Sequence, residues 1–149
     1  MKRVYQYLLF IMVFIAGAAL NTKAQEVGVR FGGTNSTGGA AIDAVFGTGS
    51  GRIHADLGFY REGVGADVLW DLLYKPLSGE AFNWYLGVGP TTFIANDFWM
   101  LGVSGEIGLE YRFSGAPIAI GADWRPTLWV VEETKFGADS FGLNFRFVF

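Results

Sequence analysis

Cysteine is absent from the sequence, which excludes disulfide bonds, thiolate metal ligands, a cysteine nucleophile and a lipid-anchored N-terminal cysteine. Charge is also scarce, because Lys, Arg, Asp and Glu make up only 17% of the 149 residues and the formal net charge is -3. A chain without a basic surplus lacks the electrostatic footprint of a nucleic-acid-binding protein, so we expect no nucleic-acid partner. Helical periodicity is missing after residue 24, which disfavours a helical fold.

Apolar residues, aromatic residues and glycine dominate the sequence instead. Hydrophobic residues account for 51% and aromatic residues for 17%, with 22 glycines and a mean hydropathy of +0.31. This composition is too apolar for a disordered chain, and the glycines follow no collagen-like period. The length allows a single domain.

The N-terminus has the order of a secretory signal peptide. Met1, Lys2 and Arg3 form a short basic start, an apolar run follows at 7–20, and small residues come near Ala24. A membrane-anchor helix is the alternative, but the run is shorter than the roughly 20 residues that a spanning helix needs. We therefore predict a signal peptide at 1–24 and a mature, exported domain at 25–149.

An alternation of apolar and polar residues repeats along the mature chain and predicts eight β-strands. Each has about the 9–11 residues that a tilted membrane strand needs. In the fourth strand the alternation places Tyr74 on the apolar face and Lys75 on the polar face. The candidate strands are 25–33, 39–47, 52–60, 66–75, 82–89, 100–113, 118–128 and 140–149.

Turn signals rich in glycine, serine and asparagine separate these strands. Pro90 stands at the end of one candidate strand and Pro126 lies inside another, so both predict local bulges. The longest connection, 129–138, carries Glu132, Glu133 and Lys135.

The polar faces of the strands pair charges of both signs with glycine, which fits a closed interior better than a solvated surface. Lysine, the usual surface cation, occurs only at Lys75 and Lys135 after residue 24. We predict a structural ion-pair network inside a barrel, formed by Arg30, Asp43, Arg52, His54, Asp56, Asp67, Asp71, Glu106, Glu110, Arg112, Asp123, Arg125 and Arg146.

The apolar faces are large and aromatic in all eight candidate strands, which favours a barrel whose outer surface contacts lipid. In lipid the sheet must close, because every backbone N–H and C=O has to be paired within the protein. With both termini on the periplasmic side, the connections near Asn35, Glu62, 93–97 and 130–138 are extracellular, and all are short. A soluble, secreted ligand-binding barrel remains the alternative.

Four segments strengthen this interpretation: 85–89, 108–113, 121–126 and 145–149. Through these segments the mature chain resembles the small eight-stranded outer-membrane β-barrel family of the OmpA/OmpX type in Gram-negative bacteria. The junction at Ala24 and Gln25 resembles signal cleavage sites of Bacteroidetes. The resemblance implies an all-β, eight-stranded antiparallel up-and-down transmembrane barrel in the outer membrane, with outer-membrane lipids as its surroundings.

In that family, alternating aromatic residues that end in a C-terminal phenylalanine are read by the barrel-assembly machinery. Phe145, Phe147 and Phe149 match this signal, and the resemblance implies that the machinery is a partner during biogenesis.

His54 is the only histidine, and Asp56 follows it on the same predicted face. One interpretation is an acid–base group, as in lipid A-modifying barrels that use histidine with serine and a carboxylate. The other is a histidine held by carboxylates inside the barrel, which we favour because no serine stands at a fixed spacing from it. A cation site at Asp56, Asp67 and Asp71, or an ion path along the network, would need a wrapping loop or a wider interior.

We therefore expect a non-enzymatic outer-membrane barrel with a structural or surface-interaction role, and neither a cofactor nor a metal. A lipid A deacylase-like enzyme of the outer leaflet is the second class, because this fold hosts several functions.

Overall fold

The computed structural model describes residues 25–34, 37–79, 81–131 and 134–149, and every regular element among them is a β-strand. The predicted signal peptide at 1–24 lies outside the described residues. The strands are β1 (Gln25–Thr34), β2 (Thr37–Thr48), β3 (Gly51–Tyr60), β4 (Gly63–Ser78), β5 (Phe82–Ala95), β6 (Trp99–Arg112), β7 (Ile118–Trp124), β8 (Thr127–Trp129), β9 (Lys135–Gly137) and β10 (Phe141–Val148).

Each strand from β1 to β6 pairs antiparallel with the next, and β10 pairs with both β7 and β1, so the sheet closes on itself. Val29 of β1, for example, lies opposite Phe145 of β10 and Ile42 of β2. β7 and β8 lie along β6 as two parts of one strand, and β10 and β9 follow them in the same way. The ten segments therefore form an eight-stranded, up-and-down, antiparallel barrel, which confirms the predicted fold at this level.

The seventh barrel strand is interrupted at Arg125 and Pro126, but the bulge predicted at Pro126 is wrong, because the register is the same on both sides: Trp124 lies opposite Ile107 and Thr127 lies opposite Ser104. Backbone bonds still hold the two parts in place: the Gly105 amide donates to the Pro126 carbonyl at 2.9 Å, and the Arg125 amide donates to the Ser140 carbonyl at 2.8 Å. The same alternation that buries Asp123 and Thr127 places Arg125 in the barrel interior, where it is 3% exposed.

The bulge predicted at Pro90 is wrong. Pro90 lies opposite Val103 in an unbroken β5–β6 ladder, and β5 continues to Ala95 rather than ending at Gly89. Two register shifts occur instead on β4, because Asp71 faces Gly87 whereas Leu73 faces Leu86, and a second shift follows Pro76. A bulge at Leu72 needs no proline or glycine, so the alternation of apolar and polar residues does not predict it.

This bulge reverses the faces of the residues that follow it. Tyr74 lies opposite Tyr85 and contacts interior charges, whereas Lys75 is exposed. The predicted positions of Tyr74 outside and Lys75 inside are therefore wrong, because one extra residue exchanges the two faces of a strand.

The connections differ from the prediction in two places. Residues 93–95, expected in an outer connection, belong to β5, and the long connection at 129–138 contains β9. Asn35, Glu132 and Glu133 lie outside the described residues. Nothing helical in the described part of the chain is long and apolar enough to cross a membrane.

Candidate functional site: the charged interior of the barrel

The alternation of the strands places the predicted charged residues inside the barrel. Asp67 and Arg112 keep 18% and 32% of their side-chain surface exposed, near the two ends of the interior. The remaining eleven are at most 6% exposed: Arg30, Asp43, Arg52, His54, Asp56, Asp71, Glu106, Glu110, Asp123, Arg125 and Arg146. We call these thirteen residues together with Glu26 the lumen network.

His54 lies at the centre of the lumen network and is fully buried. Its Nε2 is 2.6 Å from Oδ1 of Asp43 on the neighbouring strand β2, and its Nδ1 is 3.0 Å from Oε1 of Glu106 on β6. β3 and β6 are not adjacent, so the ring bridges the interior. Asp56 lies 3.6 Å from Nε2.

Arg125 joins the centre to one end of the interior. Its Nη1 donates to Asp56 at 2.5 Å and to Asp67 at 3.3 Å, and its Nε donates to Glu106 at 3.1 Å. Arg125 thus contacts three acidic partners, which lie on β3, β4 and β6.

Arg146 connects three strands at the centre. Its Nε donates to Asp43 at 2.7 Å and its Nη1 donates to Glu110 at 2.7 Å, so β10 is tied to β2 and β6. Charge-assisted bonds of this kind are about twice as strong as neutral ones, provided that the donors and acceptors have no competing water.

The other end of the interior is built around Glu110. Arg52 lies 3.3 Å from it, Arg112 donates to it at 2.8 Å, and the hydroxyl of Tyr74 donates to it at 2.8 Å. Arg112 also pairs closely with Glu26 of β1. Arg52 in addition lies 3.9 Å above the Tyr74 ring, a cation–π contact.

Several interior residues were missed as members of the predicted site, among them Glu26, Tyr74, Tyr85 and Asn144. The alternation did place Glu26, Tyr85 and Asn144 on polar faces, so this signal could have found all three. Tyr85 is fully buried, and Asn144 donates to Asp123 at 2.9 Å. Tyr74 could not be found, because the bulge at Leu72 leaves no mark in the pattern.

The hypothetical cation site at Asp56, Asp67 and Asp71 is not formed as a unit. Asp56 and Asp67 both accept from Arg125, whereas Asp71 accepts from Arg52 at 2.9 Å. These contacts divide the three acids between two arginines.

The surroundings of His54 contain carboxylates and arginines rather than a nucleophile. The buried Ser104 hydroxyl of β6 lies 2.6 Å from the Thr127 hydroxyl of β8. A serine nucleophile would need its hydroxyl within hydrogen-bond reach of the imidazole. The imidazole of His54 thus links β3 to β2 and β6 through carboxylates, and none of its contacts among the described residues is to a serine hydroxyl.

The three C-terminal aromatic residues face outward. Phe145, Phe147 and Phe149 are 51%, 48% and 74% exposed, and the last two rings meet edge to face at 5.0 Å. They are therefore accessible on the outer surface of β10 and just beyond its end.

No family model matches the sequence, and no curated protein and no solved structure is significantly similar to it.

Proposed function

We propose that this protein is an integral outer-membrane β-barrel without enzymatic activity, whose role is structural or in interactions at the cell surface. A single observation carries the proposal. Large apolar side chains are exposed on every one of the ten strands, while arginines and carboxylates are buried inside the barrel. This is the reverse of the usual distribution in a protein surrounded by water.

The free energy of exposing apolar side chains to water favours lipid as the surroundings of this outer surface. Trp70 is 50% exposed, Ile107 44% and Leu143 57%, and similar side chains cover the strands around the whole barrel. Monomeric soluble proteins rarely expose apolar patches larger than a few hundred Å². Transfer of apolar surface out of water is favourable by roughly 25 cal/mol per Å², so a hydrocarbon environment stabilises this surface.

The closed sheet also satisfies a second condition for a position in a bilayer, the pairing of backbone polar groups within the protein. Backbone groups in the hydrocarbon region need partners within the protein, and the β1–β10 ladder removes the free sheet edges in the barrel wall. The Trp99 and Trp129 side chains lie at strand ends, where aromatic side chains stabilise the boundary between lipid and water.

The interior supports a structural role. Eight strands leave room for little beyond side chains, and here Tyr85, Leu69 and His54 are fully buried between the walls. Because the connections are short, only a small rim of the barrel is available to bind a partner at the cell surface. This rim includes Asp97 and β9 at the end that we assign to the cell exterior. Because His54 is buried with carboxylate partners, a lipid ester has no access to it.

Membrane fractionation tests the proposal. We expect the protein to remain in the outer-membrane pellet after carbonate and urea washing, and to migrate differently on a gel before and after boiling. A measured mass that matches a chain beginning at Gln25 would identify the signal cleavage site. Recovery in the soluble fraction would contradict the proposal and favour a secreted binding barrel.

A second measurement tests the absence of enzymatic activity. Deletion of the gene and the His54→Gln variant should both leave the acyl composition of lipid A unchanged by mass spectrometry. A loss or gain of acyl chains in both strains would instead support the lipid-modifying class.

A further inference from the structure

Three potential metal ligands meet in the middle of the barrel. A ring nitrogen of His54, a carboxylate oxygen of Asp71 and a carboxylate oxygen of Glu106 all lie within 4.8 Å of one another, and all three residues are buried; Nδ1 is the ring nitrogen nearest to Glu106, at 3.0 Å from its Oε1. They come from β3, β4 and β6, so their meeting depends on the closed fold.

Gly87 of β5 creates the space between the two carboxylates. It lies opposite Asp71 on one side and Glu106 on the other, so the two acidic side chains approach each other across it. A Cβ atom at Gly87 would stand 2.6 Å from Oδ1 of Asp71 and 3.1 Å from Oε1 of Glu106. A larger residue would therefore fill the space beside these oxygens.

One carboxylate oxygen of Asp71 receives no bond from an N–H or hydroxyl donor of the described residues. Its Oδ2 accepts from Arg52 at 2.9 Å, whereas its fully buried Oδ1 faces the carboxylate of Glu106, with which it can share a proton or a cation. Glu106 is divided in the same way, because Oε2 accepts from Arg125 and Oε1 faces His54. A buried carboxylate oxygen without a donor is costly unless a proton or a cation neutralises it.

Asp43 fixes the orientation of His54. Its Oδ1 lies 2.6 Å from Nε2, and Nη2 of Arg146 lies 3.0 Å from the same nitrogen, while Nδ1 faces Glu106. For Nδ1 to bind a metal ion the ring proton has to lie on Nε2, where Asp43 accepts it. A carboxylate on the distal nitrogen is the usual outer partner of a metal-bound histidine. Nη2 of Arg125 lies 3.4 Å from Nδ1 and 3.2 Å from Nε2, whereas its Nη1 donates to Asp56 at 2.5 Å, so a metal ion at Nδ1 requires Nη2 to turn away from the ring.

The charge balance of the interior also favours a cation. The lumen network contains five arginines, one histidine and eight carboxylates, so the basic side chains leave an acidic excess. The eight are Glu26, Asp43, Asp56, Asp67, Asp71, Glu106, Glu110 and Asp123.

We propose that His54, Asp71 and Glu106 bind a divalent transition-metal ion, with Zn²⁺ as the representative ion, and that Asp43 acts as the outer partner of His54. Ligand atoms around tetrahedral zinc are about 3.4 Å apart for the usual bond lengths, so small side-chain movements bring the three ligands into range and leave the fourth position to water. Nitrogen with carboxylate oxygen suits zinc better than magnesium, which prefers oxygen and water. The inference rests on the barrel interior and does not depend on the cellular location.

Zinc stoichiometry tests the site. Protein produced from the full sequence is unfolded with a chelator, refolded with or without ZnCl₂, and passed through gel filtration before elemental analysis. We expect about one zinc ion per folded chain, no comparable uptake of Mg²⁺, and loss of zinc in Asp71→Asn. Asp67→Asn is the matched control, since it removes a carboxylate four residues away on the same strand and should retain zinc.

The outer partner gives a graded readout. Asp43→Asn should weaken zinc binding by about 10–100-fold in competition with a chromophoric chelator, without abolishing it. Circular dichroism establishes that each variant is folded. A folded wild-type protein that takes up no zinc, or equal uptake by wild type and Asp71→Asn, overturns the proposal and leaves a shared proton as the neutralising charge.

Discussion

Arg30 and Asp123 form a two-pronged ion pair that spans an intervening strand. Nη2 of Arg30 on β1 lies 2.5 Å from Oδ1 of Asp123 on β7, and Nε lies 3.0 Å from Oδ2, while β10 runs between the two strands. The pair crosses β10 at Gly142, which lies opposite Asp123 in the sheet. The pair thus ties the closing seam of the barrel to a second-neighbour strand.

Replacement of Asp123 by alanine should destabilise the barrel by about 3–5 kcal/mol, because the buried Arg30 guanidinium loses its main partner. Urea unfolding monitored by tryptophan fluorescence measures the loss. In a double-mutant cycle with Arg30→Ala we expect a coupling free energy of about 0.5–3 kcal/mol. Strictly additive losses would mean that the pair contributes nothing beyond its separate side chains.

Gly142→Ala should displace the guanidinium of Arg30, because a Cβ atom there would overlap its Cζ, Nε and Nη2 atoms. We expect a loss of about 1–3 kcal/mol, typical of overpacking a filled interior. Gly115→Ala is the matched control, since a Cβ at that turn meets no atom within 4 Å. Similar unfolding midpoints for the two variants would contradict the crossing described above.

Much of this architecture could be predicted from the sequence, because alternation is a local property. The face that contains Val27, Val29 and Phe31 predicted the outer surface of β1, and the same rule placed Asp123 and Arg146 inside. The pairing of Arg30 with Asp123 could not be predicted in this way, because it depends on which strands meet across the interior.

The errors have a common physical origin in local departures from regular pairing. The bulge at Leu72 reversed the faces of Tyr74 and Lys75, and β5 passed through Pro90 without a register shift. A proline lacks only its own amide hydrogen, so a ladder can continue where that amide is not required. The metal-ligand group also escaped prediction, because Gly87 brings its acids together only in three dimensions.

Tyr74→Phe tests the corrected face of β4. The Tyr74 hydroxyl donates to Glu110 at 2.8 Å and accepts from Arg112 at 2.9 Å, so its removal should cost about 1.5–3 kcal/mol. Tyr111→Phe serves as control, because that ring packs on Phe82 at the outer surface with centroids 4.8 Å apart. If Tyr74 lay on the outer face, its loss in urea unfolding would be no larger than that of the control.

Ile107→Arg distinguishes a lipid surface from a wet one. Ile107 is 44% exposed near the middle of β6, where a bilayer would make arginine cost about 2–4 kcal/mol. Leu77→Arg, at the end of β4 and 59% exposed, should cost only about 0–1 kcal/mol. Unfolding from lipid vesicles measures both, and equal small effects at the two positions would count against membrane insertion.

Phe149→Ala separates assembly in the cell from stability of the finished barrel. Phe149 is 74% exposed beyond the end of β10, so its side chain contributes little burial and the purified variant should refold in detergent like the wild type. In cells we expect a reduced amount in the outer membrane, because the proposed recognition by the assembly machinery uses the terminal aromatic ring. Quantitative blotting of outer-membrane fractions measures this, with Phe136→Ala, an exposed phenylalanine of β9, as control. Equal outer-membrane levels of wild type and Phe149→Ala would remove the terminal phenylalanine from the assembly signal, whereas a defect in both refolding and cellular level would assign it to barrel stability.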